Sequence, residues 1–409
     1  MLPRPGYPLW DNREPAGARG CHTRSVMRAD TRRPPPRPLH HVRRALLGVA
    51  ATLCLALVAT AAAQSPVVRV LLAVEPSVVV HVEGPHAGRV DGRRAFKAGA
   101  SLAWPVTARG DALYVDGSPV GETLTLEPES EPFAFAGRRY RGAVRLSAVD
   151  GVVEVVNVLS VEDYLRGVVP SEMAASWPME ALKAQAVAAR SYTLTSLDPY
   201  ARYDLCATED CQVYRGVEAE HPRTDAAIAA TAGVVVTYGG SAARTYYHAD
   251  SGGTVASSAE VWGTWSPYLV ARADAQSPSP HRAWSLRLDG GRVGASLAAA
   301  GLDVGEVTSL RVLGLSESGR VNELEVVGSR GSRVLRGTSL TALARSWGLK
   351  SMSFRVQGGL TVTGDGWGHG VGMSQYGARA LANAGYDFTQ ILAFYYPNTG
   401  LTRFLAEAP

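Results

Sequence analysis

Near residue 160 the hydrophobic pattern of this chain changes period. From Val67 to about Ser147, short runs that alternate apolar and polar residues (VVRVLLAV, SVVVHVEG, ALYVDG, TLTLEP, YRGAVRLSAV) are broken by Gly, Pro and Asp, which predicts a small antiparallel β unit. The strand pattern continues through Gly151–Ser160, so no flexible linker is expected at residue 150. Residues 161–197 then take helical spacing. A short helix over Glu162–Val168 is expected to break at Pro170, leaving Glu172 on a loop. Ser176, Pro178 and Glu180 form the start signal of a second helix that runs to about Leu197. Ala181, Ala184, Ala186, Ala188 and Ala189 favour that helix and permit close packing, and Lys183 and Arg190, seven residues apart, fall on one of its faces. Strands followed by helices in this way imply an α+β fold. We expect a β-rich core with a few packed helices and a cleft between the N-terminal β unit and helix and a C-terminal glycine-rich segment.

Further along, the pattern predicts a helix over about Thr224–Thr231, a strand over Val234–Tyr238, a Gly239-Gly240 turn and a return strand over Arg244–His248. Helices are expected near Val293–Ala300 and Thr338–Ser346, strands on either side of a Ser318–Gly319 turn, and an exposed loop over Asp274–Arg282. The chain has 409 residues, 46% hydrophobic and 19% charged, enough to bury a full core, and this excludes global disorder and a polytopic membrane protein. Residues 1–44 hold 10 of the 41 Lys+Arg and only 3 of the 37 Asp+Glu, so the rest of the chain is slightly acidic. Nucleic acid is therefore not an expected partner, because that requires cations clustered on the folded part.

The basic leader has the order of an export signal: a positive flank at His40–Arg44, an uncharged apolar run over Ala45–Thr60, and the small residues Ala61-Ala62-Ala63 before Gln64. An uncleaved anchor is the competing reading, because the uncharged run extends to Val68. Either reading puts the body outside the cytoplasm, in the envelope, the periplasm or the medium. The expected organisation is a leader over 1–63, a β-rich N-terminal part over 64–150, a part over 151–403 that holds the candidate chemistry and a tail over 404–409. Cys21 and Cys54 fall in the leader, which leaves Cys206 and Cys211 as either a small disulfide loop or half of a metal site.

Three constellations carry residues fit for chemistry. Glu172, in VVPSEM, is a candidate general acid because burial raises a carboxyl pKa; the alternative is that it caps the following segment or pairs with Arg190. Between Gly364 and Ala378, six glycines alternate with Trp367, His369, Ser374 and Gln375, a backbone able to approach a ligand closely and an indole to stack on it. The bland alternative there is a tight turn with His369 hydrogen-bonded in the core. The third, Tyr246 to Gly263, holds His248, Asp250, Ser251 and Gly252-Gly253; with no G-x-S-x-G, it fits a sugar-contacting loop through Ser251 better than a serine hydrolase.

The segments VVNVLSVEDYLRGVVPSEM, WPMEALKAQAVAARSY, CQVYRG, the SGG segment and GWGHGVGMSQYGARALANAGYDFTQILAFYYPNTGL resemble, in this order, the motifs of the stage II sporulation protein D and amidase-enhancer family, over roughly Val67 to Leu401. The resemblance implies a peptidoglycan lytic transglycosylase that cuts the MurNAc-GlcNAc bond of stem-free glycan strands and leaves 1,6-anhydro-MurNAc ends. It implies Glu172 as the catalytic carboxylate, Lys183 and Arg190 as the cations that bind substrate, and Ser251, Trp367, His369, Ser374 and Gln375 along the same groove. The alternative function is a wall-binding enhancer of a cell-wall amidase that cuts nothing itself. No cofactor is required by this chemistry. Relatives carry a zinc site at the Cys segment, often with a His where this chain has Asp210, so the choice here stands between a structural zinc on Cys206 and Cys211 and a Cys206–Cys211 disulfide. A zinc hydrolase built on the two cysteines and His248 or His369 is a weaker third option.

Overall fold

A computed structural model describes residues 65–274 and 279–404; the expected leader, with Cys21, Cys54 and its cleavage point, and all but the first residue of the 404–409 tail lie outside them. The fold is α+β. Two antiparallel β layers form the N-terminal half. In the larger sheet, Val67–Glu75 pairs with Val152–Ser160, which pairs in turn with Ala143–Val149 and Thr123–Pro128. The smaller sheet is centred on Ser77–Val82 and Leu102–Arg109. Alternation along the strands aims Val68, Val70, Val144 and Leu146 of one sheet and Val78, Val80, Val106 and Leu113 of the other into one core. Residue 150 lies in the turn of the hairpin between Ala143–Val149 and Val152–Ser160, where Asp150 and Gly151 take φ of 49° and 82°. The chain therefore crosses that position without a linker.

Helix α1 (Val161–Glu172) does not break at Pro170 as the sequence suggested; it runs through it, and Glu172 is its last residue rather than part of a loop. The reason is packing. Val161, Tyr164, Leu165, Val168 and Val169 are buried in the β core, and Pro170 falls in the last turn, where Met173 N–H still reaches the Val169 carbonyl at 2.9 Å. Tertiary burial of that face outweighs the proline penalty of about 3 kcal/mol. Helix α2 (Met179–Leu194) ends three residues earlier than expected and is enclosed on several sides. Its Ala186 and Ala189 join the β core, Ala184, Val187 and Ala188 join a second cluster, and Ala181 and Leu182 a third. Small side chains on every face are what permit one helix to be shared by three cores.

The return strand expected over Arg244–His248 forms differently. Ser241–Ala242 closes the hairpin with Val234–Tyr238, while Tyr247–His248 pairs in parallel with Met373–Ser374 in the glycine-rich segment. Two further bridges, Asp250 with Trp367 and Ala256 with Val371, lay the SGG segment along the same partner. Between them, residues 284–364 form a unit with a separate core that includes Val293, Leu297, Leu324, Leu340 and Phe354. Among the described residues, no helix is long and apolar enough to cross a membrane.

Candidate active site

Glu172 ends α1 with its carboxyl part-buried. Its Oε1 accepts a 2.7 Å hydrogen bond from the Val213 backbone N–H, and Oε2 accepts a longer one, 3.5 Å, from Nε2 of Gln375. Burial raises this carboxyl above the ordinary glutamate range, against the opposing pull of the Val213 N–H, the Gln375 amide and the Arg215 guanidinium. The result is a carboxyl that keeps its proton to higher pH than an exposed one, as a general acid requires.

Two glutamines connect this carboxyl to its surroundings. Gln375 opens the helix Gln375–Asn383, and its amide also donates to Oε1 of Gln185 on α2 at 3.3 Å. The Gln185 amide nitrogen, buried beside it, has no hydrogen-bond partner among the described residues. Gln212 precedes Val213 and is held by Thr193, Tyr164 and Tyr247, so the backbone that presents the Val213 N–H is fixed from three directions.

Rings line the approach. Trp177, just beyond Glu172, meets Tyr376 with centroids 4.9 Å apart; Tyr376 meets His281 at 5.4 Å, and His281 meets Trp367 at 4.6 Å. Trp367 is 48% exposed. Of these, Trp367 and the nearby Tyr376 were legible in the glycine-rich segment. Trp177 and His281 escaped because they come from separate segments with no shared motif.

Several expected site residues do other work. Arg190 is 1% exposed; its guanidinium is bidentate to Glu162 at 2.7 and 2.8 Å and also donates to the Val234 and Ile228 carbonyls. Glu162 lies ten residues before Glu172, about 15 Å along the helix axis. Arg190 thus braces the far end of α1 and is paired with Glu162 rather than Glu172. Lys183 is engaged by Glu180 at 2.6 Å, and the cation that bears on Glu172 is the exposed Arg215. Ser251, 1% exposed, donates to Asp274 at 2.7 Å and so faces the interior. Ser374 is fully buried and caps the helix that begins at Gln375 through the Gly377 N–H. His369 is half-buried, packs against Tyr246, Trp262 and His248, accepts the Val371 N–H at 3.0 Å, and is lowered by burial to about 4, so it is neutral at pH 7.

The glycines have a steric cause. A Cβ on Gly372, where φ is +72°, would lie 2.0 Å from the Tyr246 carbonyl oxygen, and one on Gly366, at φ +82°, 2.7 Å from that of Asp250. Both contacts belong to the close approach between the SGG and glycine-rich segments.

Cys206 and Cys211 form a disulfide, so neither offers a thiolate, and the neighbouring Asp210 carboxylate is taken by Arg345 at 2.9 Å. Among the described residues no group of three His, Cys, Asp or Glu side chains is gathered to hold a metal. These residues do not fit the zinc site suggested by the resemblance. The bridge closes a short loop immediately before Gln212 and Val213. Reducing it is expected to destabilise the protein by about 2 kcal/mol, read as a lower melting temperature of the full chain in reductant, with no change on adding a chelator.

Comparison with known proteins matches two segments of this chain to family models. Residues 149–238, which include Glu172, both helices and Val213, match the family model described as Stage II sporulation protein, and residues 292–372 match one described as a domain of unknown function (DUF8618). An uncharacterised protein of Brachyspira hyodysenteriae is 34% identical over 268 residues, covering 64% of this chain and 72% of the relative. The amidase enhancer of Bacillus subtilis is 31% identical over 339 residues, covering 69% of this chain but 47% of that protein, so the chain spans about half its length. Stage II sporulation protein D of Bacillus subtilis is 28% identical over 328 residues, covering 75% and 88%.

Proposed function

Because this chain belongs to the stage II sporulation protein D family, we propose that it is an exported peptidoglycan lytic transglycosylase in which Glu172 is the single acid and base. What carries the reading is the Glu172 carboxyl itself: part-buried, raised in pKa, hydrogen-bonded by an amide and a backbone N–H, and in contact with no second carboxylate among the described residues. The acid that does act on it, Glu209, is exposed, pairs with Arg345 and has the smallest influence of the groups around Glu172.

A hydrolytic glycosidase needs two carboxylates, one of them to activate water or attack the sugar. One suffices when the nucleophile is the substrate's own hydroxyl. Glu172 donates its proton to the glycosidic oxygen as the bond to the anomeric carbon breaks. The resulting carboxylate then takes the proton of the muramic 6-hydroxyl, whose oxygen bonds to that carbon and closes the 1,6-anhydro ring. No water enters, no cofactor is needed, and Glu172 ends protonated. The exposed Arg215 beside it takes the role first given to Lys183 and Arg190, pairing with a lactyl carboxylate.

Incubation of the full chain with stem-free glycan and mass analysis of the products is expected to give 1,6-anhydro-muramic ends; reducing-end muramic acid would reject the mechanism in favour of hydrolysis. Since the reactive form is protonated, the rate should fall as pH rises through the raised pKa of Glu172, with that limb above the usual carboxyl range. A limb at the ordinary glutamate value would contradict the assignment.

The amidase-enhancer relative favours a second reading, in which the groove binds glycan without cutting it. Bound glycan with no product, together with faster turnover of an added cell-wall amidase, would select it.

A further inference from the structure

Beyond the acid, the rings from Trp177 to Trp367 form a continuous, partly solvent-facing row, and each end carries a cation. The Lys350 ammonium lies 5.2 Å from the Trp367 ring centroid, and the Arg379 guanidinium carbon lies 5.1 Å from that of Trp177. The three ring contacts are edge-to-face, with interplanar angles of 63°, 87° and 83°, so each ring fixes the orientation of the next. The backbone fixes the ends as well. Trp367 exchanges N–H and C=O bonds of 2.9 and 3.0 Å with Asp250, and the Lys350 carbonyl accepts the Gly368 N–H at 2.8 Å. Lys350 comes from the 284–364 unit, which has a core of its own, so that unit contributes a cation beside a ring of the glycine-rich segment.

We propose that this row is an extended saccharide platform and that Lys350 and Arg379 read carboxylates on two different sugars of one strand. The ligand class is a polysaccharide with repeated free carboxylates, which deepens the reading of the site as one for stem-free glycan and rests on that reading only for the identity of the chain. Three ring-to-ring steps accommodate a run of sugars rather than one. Sugar rings present apolar C–H faces to aromatic side chains while their carboxylates seek cations, and a row with cations at its ends supplies both. His281, in the middle, is lowered in pKa chiefly by burial, so it stays neutral at pH 7 and adds no third charge between the two ends. Single-stranded nucleic acid also uses rings and cations, so single-stranded DNA enters the test as a competitor.

The test measures binding to the full chain carrying Glu172→Gln, so that no turnover intervenes. The probes are stem-free glycan oligomers, the same oligomers with amidated carboxyls, and chitotetraose. Trp367→Ala is expected to weaken all three. Lys350→Gln with Arg379→Gln should lower affinity for the free-carboxyl oligomer about tenfold and leave the other two within twofold. Lys350→Gln alone, an exposed change, should produce part of the same selective loss if the double variant melts early. Equal loss on charged and neutral ligands, no loss on any, or displacement of the glycan by single-stranded DNA would overturn the proposal. If the unmodified chain yields no anhydro product, the cleavage reading falls, while these affinity differences still decide the platform.

Discussion

Glu172→Gln is expected to lower glycan cleavage by at least about 10³-fold while leaving glycan binding and fold intact. The glutamine keeps the acceptor that Val213 uses and the volume of the site, but it cannot donate a proton to a leaving oxygen or take one back. The same change should affect stability in the opposite direction. In the folded state Glu172 holds its proton more tightly than in the unfolded chain, so the native protein binds more protons as pH rises through this range, and its stability falls there. The neutral amide removes that penalty. The variant should therefore melt higher than the parent above the raised pKa and match it at low pH, where both side chains are uncharged. Melting curves at a series of pH values, together with single-turnover assays on stem-free glycan, check both halves. Activity within tenfold of the parent would remove Glu172 from the mechanism, and a variant that melts lower at every pH would mean the carboxylate is structural.

The sequence made the β unit plain because its period of two is set by local chemistry that burial then enforces, from Val68 to Leu146, and α2 plain because its start signal and its alanines from Ala181 to Ala189 favour a helix. It misled where a tertiary contact decided the outcome. Pro170 is a helix breaker read locally, yet it sits inside α1 because the helix face below it is buried. Tyr247–His248 has the look of a hairpin strand but pairs with a segment more than a hundred residues away. For the site, Glu172 and Gln375 were legible as unusual polar residues in distinctive surroundings, and they do meet. Arg215, Gln185, Trp177 and His281 were not, because what makes them functional candidates is only their convergence on Glu172 or on one another. Helical spacing put Lys183 and Arg190 on one face correctly, but a shared face spans several turns. The spacing therefore could not tell that Arg190 reaches the start of α1 while Glu172 lies at its end.

That difference makes Arg190→Ala the sharper discriminator between a binding and a bracing role. Arg190 joins four segments: α1 through Glu162, the helix Pro222–Ala230 through the Ile228 carbonyl, the strand Val234–Tyr238 through the Val234 carbonyl, and α2, which carries it. Truncation removes the partner of a Glu162 carboxylate that is about two-thirds covered and takes a donor from both carbonyls, of which Ile228 keeps the Thr231 N–H. Breaking a buried pair from one side costs about 3–5 kcal/mol, because the remaining charge keeps its desolvation penalty and loses its compensation. Lys in its place restores the charge but not the two parallel bonds, so Arg190→Lys should recover only part of the loss. If Arg190 instead held a substrate carboxylate, the alanine variant would keep its melting temperature and show a raised KM. We expect the reverse: a large fall in the denaturation midpoint without any ligand present, and, at temperatures where the variant stays folded, an unchanged KM for stem-free glycan. An unchanged midpoint with weakened glycan binding would return Arg190 to the groove and would mean that the Glu162 pair opens when substrate arrives.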